Sequence, residues 1–137
     1  MTGQGTKAKI LVIDDERTVA DTLKTIFSKA GMEAMAVYSA EQALTLMSQW
    51  VPQMAIIDVQ LPGMNGIDLA ILLKDKYPDC GLTLFSGYAA TNDLLEKAKR
   101  DGHSLEVVAK PVHPVDLLRM VHCRLAGAGS DEPRGTA

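Results

Sequence analysis

Four positions in this sequence put charged or hydroxyl groups directly after short, mostly apolar β-rich runs. Ile10-Leu11-Val12-Ile13 leads into Asp14-Asp15-Glu16, Met54-Ala55-Ile56-Ile57 into Asp58, Leu82 to Phe85 into Ser86-Gly87, and Leu105 to Ala109 into Lys110-Pro111. A single Asp in such a place means little, because Asp is an ordinary helix N-cap and favours the helix dipole. Three carboxylates brought together mean more. Two like charges ~4 Å apart repel by about 4 kcal/mol at an effective dielectric of 20. A hard divalent cation offsets such a cluster, and Mg²⁺ takes one or two carboxylates while keeping positions for water and phosphate oxygens. Lys110 adds a fixed positive charge; a plain surface lysine is less natural between a buried strand and Pro111.

Acids, a lysine and a small hydroxyl around a metal suit phosphoryl transfer, where charge must be neutralised and a carboxylate can accept the group covalently. Asp58 is the natural acceptor, since its run is the central one of the cluster. Ser86 would hydrogen-bond a phosphoryl oxygen, and Gly87 would let a backbone N–H approach it closely.

These groups converge only if the runs are parallel, adjacent strands, and the intervening segments have helical period. Val19, Leu23, Ile26, Phe27 and Ala30 share one helical face, with Gly31 placed as a C-cap glycine. Residues 33–38 read as a strand, and Ser39 with Gln42 has capping-box spacing before Ala43, Leu44 and Met47. Asn65 is a plausible N-cap for a helix turning Leu69, Leu72 and Leu73 inward and stopping near Pro78. A helix over 91–100 follows, and Pro114 opens a last helix with Leu118, Val121 and Leu125 inward. Strict alternation of five strands and helices predicts an α/β fold, a doubly wound parallel sheet with helices on both faces. In such sheets the site forms beyond the carboxyl ends of the strands.

Composition agrees with one ordinary domain. The 137 residues are 47% hydrophobic and 23% charged, with a net charge of −3. That excludes global disorder and argues against a broad nucleic-acid or anionic-membrane surface. No apolar stretch is long enough to span a bilayer, and residues 1–9 lack the apolar core of a signal peptide. Cys80 and Cys123 read as reduced thiols of a cytoplasmic protein. Gly3-Gln4-Gly5-Thr6-Lys7-Ala8 spells a dinucleotide fingerprint, but it precedes the first strand and is a chance match. His103, His113 and His122 lack ligand spacing and read as surface or cap residues, and Trp50 reads as packing at the sheet's far end.

Taken in order, the stretches from Ile10 to Glu16, Ile56-Ile57-Asp58 with Leu61-Pro62-Gly63-Met64-Asn65-Gly66, Ser86-Gly87-Tyr88 and Lys110-Pro111 resemble the receiver domain of two-component response regulators. The resemblance implies the flavodoxin-like strand order 2-1-3-4-5, with residues 9–126 as the receiver domain after a flexible end at 1–8; residues 127–137, rich in Gly and polar residues with no large apolar side chain, read as a flexible tail. It implies a phosphoryl group passing to Asp58 from a histidine kinase or histidine phosphotransfer protein. It also implies Mg²⁺ held by Asp15, Asp58 and the main-chain carbonyl of Gln60, with Asp14 acting largely through water. Lys110 would pair with the phosphoryl group, and the Lys110–Pro111 bond would be cis. Gln60 and Tyr88 fall where side chains flank the path of attacking water. One position departs from the family: three residues before the lysine, where Tyr or Phe is usual, stands Val107.

Eight residues before this domain and 11 after it leave no room for a DNA-binding or enzymatic output domain. The expectation is therefore a stand-alone chemotaxis-type receiver in the cytoplasm, a monomer or weak dimer, signalling to a protein target the sequence does not name. A phosphate sink or relay and a receiver excised from a longer protein are the alternatives. An Asp-nucleophile phosphatase is the rival enzyme, but it calls for D-x-D where this chain has Asp14-Asp15-Glu16.

Overall fold

The computed structural model describes residues 7–86, 96, 99–100, 102, 107–109 and 113–130. Their elements are β1 (Lys9–Ile13), α1 (Arg17–Lys29), β2 (Glu33–Val37), α2 (Ala40–Met47), β3 (Met54–Asp58), α3 (Gly66–Lys76), β4 (Gly81–Ser86), β5 (Val107–Ala109) and α4 (Pro114–Ser130). All strand pairings are parallel, in the order β2-β1-β3-β4-β5. Strand alternation then sorts the apolar side chains. Leu11, Ile13, Ala55, Ile57 and Leu84 pack with Ala43 and Met47 of α2 and Leu69 and Leu73 of α3. Ile10, Val12, Ile56 and Phe85 pack with Phe27 of α1 and with Leu117 and Val121 of α4. The continuous apolar runs β1 and β3 are therefore buried on both sides, as central strands of a parallel sheet must be.

Local signals set most helix ends. The Met32 N–H reaches the Phe27 carbonyl and the Gly31 N–H reaches Ser28, each at 3.1 Å, with Gly31 at a φ of 93°. This is a Schellman closure of α1. Ser39 caps α2 by accepting from the Gln42 N–H at 3.1 Å, while Gln42 Oε1 accepts from the Tyr38 N–H at 2.8 Å, one residue before the usual capping-box donor. His113 Nδ1 accepts from the Val115 N–H at the start of α4, a capping role.

Three expectations change. Leu72 lies on the solvent side of α3, because Ile67, Leu69, Ala70 and Leu73 already fill its inward face. Ala30 is exposed as the C-cap of α1. The inward face of α4 centres on Leu117 and Val121, with Leu118 and Leu125 only partly buried. The helix expected over 91–100 lies almost wholly outside the described residues. Among the described residues no helix is long and apolar enough to cross a membrane.

Candidate functional site

Register brings the acids together. Ile13 pairs with Val37 on one side and Ile57 on the other, so Asp14 and Asp58 leave the sheet side by side. Asp58 pairs with Phe85, and Ser86 stands one step further along the next strand, opposite Ala109. Asp14, Asp15 and Asp58 each offer a carboxylate oxygen, all within 4.8 Å of one another. Asp14 and Asp58 are only 2% and 4% exposed, Ser86 is buried, and Asp15 faces solvent.

Helix capping does not account for these acids. The N-cap of α1 is Glu16, whose side chain makes no capping bond. Asp14 instead ties down the turn: its N–H donates to the Val37 carbonyl at 3.2 Å, and its Oδ1 accepts from the Glu16 N–H at 3.0 Å. Beyond β3 the chain is held as firmly. The Val59 N–H donates to the Phe85 carbonyl at 2.9 Å, and the Val59 carbonyl accepts from Leu61 at 3.2 Å and Gly66 at 2.9 Å. Leu61 and Ile67 anchor this loop in the core, and Asn65 caps α3 by accepting from the Asp68 N–H at 2.9 Å. Gln60 is left exposed next to the acidic cluster.

Three carboxylates confined in this way repel one another, least at solvent-facing Asp15. The donor set fits a hard cation. Ligands on opposite sides of Mg²⁺ stand about 4.2 Å apart, twice its bond length of about 2.1 Å. Oxygens spread over 4.8 Å therefore suit one or two direct carboxylate ligands with water completing the shell. Val107 pairs with Leu84 and packs against the α2–α3 side of the core. Gly87, Tyr88, Lys110 and Pro111 lie outside the described residues, as do the backbone expectations attached to them.

One group beside the acids was not anticipated. The Arg17 guanidinium lies 4.1 Å from the Tyr38 ring centre, and the Tyr38 hydroxyl donates to Asp21 Oδ1 at 2.7 Å. Asp21 holds the proton on Tyr38, raising its phenol above the ordinary value, with desolvation adding to the effect. Arg17 and Asp21 share a helix face at i, i+4 spacing, which was a readable signal. Their aromatic partner across the β1–β2 edge was not readable from spacing.

Known proteins share this fold. Residues 10–122 match the family model of the response regulator receiver domain. The chain is similar to the response regulator protein FleR of Pseudomonas aeruginosa, 33% identical over 127 residues that cover 91% of this chain and 26% of FleR. It is similar also to the DNA-binding response regulator MtrA of Mycolicibacterium smegmatis, 30% identical over 93% of this chain and 54% of MtrA. The chain thus spans about a quarter to a half of these relatives. A CheY-like receiver domain protein from Methanospirillum hungatei has the same fold, with a TM-score of 0.83 at 24% identity over 93% of this chain and all of that one. NtrX from Brucella abortus matches with a TM-score of 0.78 at 25% identity, over 90% of this chain and 28% of NtrX. The strand order, the acidic edge and the match over residues 10–122 agree, and the chain belongs to the response regulator receiver domain family of two-component signalling.

Proposed function

We propose that this receiver takes a phosphoryl group onto Asp58 from a phosphohistidine of a histidine kinase or phosphotransfer protein in the cytoplasm. The observation that carries the reading is the convergence of Asp14, Asp15 and Asp58 within 4.8 Å, next to the strand end that holds Ser86. A carboxylate oxygen of Asp58 attacks phosphorus and forms the P–O bond. The P–N bond to the donor imidazole breaks, and its nitrogen keeps the electron pair and is protonated. Water later attacks phosphorus, releasing inorganic phosphate and restoring the carboxylate. Asp15, Asp58 and the Gln60 carbonyl would hold Mg²⁺, with Asp14 through water; the ion supplies charge neutralisation at the phosphoryl oxygens. Ser86 donates to a phosphoryl oxygen, Gly87 leaves room for a backbone N–H there, and Lys110 pairs with the same group. Gln60 and Tyr88 modulate the approach of water. The domain is a switch that completes one slow cycle of phosphorylation and hydrolysis, not a turnover enzyme.

Output runs through phosphorylation-dependent contact with another protein. Valine is stiff at its one side-chain torsion, so Val107 cannot swing a ring-sized body, and the signal leaves through Ser86 and the segment after it. A second reading has direct support. The relatives FleR and MtrA are about four and two times as long as the matched region, so this receiver also suits the regulatory part of a longer protein. Phosphotransfer from a panel of radiolabelled histidine kinases tests the proposal. Label should reach the wild type from a cognate kinase and not Asp58→Asn; equal labelling of both would refute the assignment.

A further inference from the structure

Gly66 opens α3, and its N–H donates to the Val59 carbonyl at 2.9 Å. A β-carbon on Gly66 would stand 2.8 Å from the Asp58 carbonyl carbon and 2.8 Å from the Val59 Cα, with the Asp58 carbonyl oxygen nearer still. All three are main-chain atoms, so no side chain can rotate away to make room. Other glycines differ. A β-carbon on Gly63 would meet only Glu41 Oε2 at 3.8 Å, and on Gly81 the Gln53 carbonyl at 3.6 Å. Gly63 is demanded by its φ of 77°; Gly66 is demanded by what lies against it.

The clamped segment is the one that carries the acceptor. The peptide between Asp58 and Val59 has its N–H held by Phe85 and its carbonyl flanked by the Gly66 Cα. The next peptide has its carbonyl held by the Leu61 and Gly66 N–H groups. Two consecutive peptide planes are therefore fixed, and together they aim the Asp58 side chain and the chain entering Gln60. β3 is buried along its length and paired on both sides, so it cannot yield to a bulkier residue. The first turn of α3 and residues 59–65 would move instead.

We propose that Gly66 is a positioning residue for the phosphoacceptor: by letting α3 rest on the main chain of Asp58 and Val59, it sets the geometry in which Asp58 and the Gln60 carbonyl meet Mg²⁺. This rests on the reading of Asp58 as the acceptor. Any β-carbon at Gly66 opens the loop and weakens metal binding out of proportion to its effect on folding.

The test compares Gly66→Ala with Gly63→Ala, which strains the same loop through its φ without touching Asp58. Mg²⁺ affinity is read by calorimetric titration, and folding by thermal melting without metal. Gly66→Ala should bind Mg²⁺ about 10–100-fold more weakly, the usual effect of losing a group that orients a ligand. Gly63→Ala should keep wild-type affinity at a comparable loss of melting temperature. A folded Gly66→Ala protein with wild-type affinity overturns the inference, as does a Gly63→Ala protein that loses affinity equally. Should Gly66→Ala not fold, hydrogen exchange at the wild-type Gly66 amide decides: it should slow on adding Mg²⁺, and an unchanged rate overturns the coupling. A wild-type protein that binds no Mg²⁺ would instead overturn the acceptor reading beneath it.

Discussion

The two ends of the sheet are built on opposite terms. At the amino end polar groups are paired across four strands. Lys9 donates its N–H to Gln53 Oε1 at 3.0 Å, Gln53 returns its own N–H to the Lys9 carbonyl at 2.9 Å, and Gly81 donates to the Gln53 carbonyl at 2.9 Å. Glu33 donates its N–H to Ala8 at 2.8 Å and accepts the Trp50 indole N–H at 3.0 Å. At the carboxyl end three carboxylates crowd within 4.8 Å, two of them nearly out of solvent. The first arrangement is closed within the sheet by its own hydrogen bonds; the second gathers like charges, which a hard cation would offset. Such a contrast within one sheet marks the end where stability is traded for function.

The contrast can be tested by substitutions at each end. Burial pushes the Cys80 thiol, just before β4, from an ordinary 9.0 up to about 11. As pH rises past the unfolded value, the unfolded chain releases this proton first. Stability linked to Cys80 is thus intact below about pH 9 and lost as pH climbs through about 11, by roughly 2–3 kcal/mol for a shift of this size. Melting curves over that window should show the loss in the wild type and not in Cys80→Ala, and equal slopes would exclude it. At neutral pH a thiol reagent should label exposed Cys123 while Cys80 stays protected.

Trp50 is half-buried against the core and bonded to Glu33. Trp50→Ala should cost about 2 kcal/mol, below the range for fully buried aromatics. Phosphoryl uptake by the folded fraction should not change; a slower rate would break the separation of the two ends. Thr83, midway along β4, buries a hydroxyl with no hydrogen-bond partner among the described residues. Thr83→Val should raise stability by about 1 kcal/mol, or roughly 3–5 °C in a domain of this size. The smallest effect belongs to Asp15. Because it faces solvent, removing its charge with Asp15→Asn should gain only about 0.5 kcal/mol in EDTA. In Mg²⁺ the order should reverse, with the wild type melting higher.

Much of this was legible because it depends on neighbours in sequence. Runs such as Ile10 to Ile13 ending in acids declared both a central strand and its acidic end, and Asn65, Ser39 and Gly31 marked helix ends through their own side chains or lack of one. What escaped depends on approach in space. Leu69, Leu72 and Leu73 are equally apolar, and only the crowding of the α3 face decides that Leu72 turns outward. Arg17 and Tyr38 meet across two elements, and Gly66 reads as a turn residue until the main chain of Asp58 is found against it. Val107 was visible as a departure from the family, but its packing against the α2–α3 side of the core was not.

The central claim is that the acidic carboxyl edge is a Mg²⁺-dependent phosphoacceptor. Intact-mass spectrometry after incubation with acetyl phosphate tests it most directly. With Mg²⁺ the wild-type chain should gain the mass of one phosphoryl group, mapped to Asp58, and EDTA should suppress the gain. A single adduct forming at equal yield in EDTA, or in Asp58→Asn, would contradict the account.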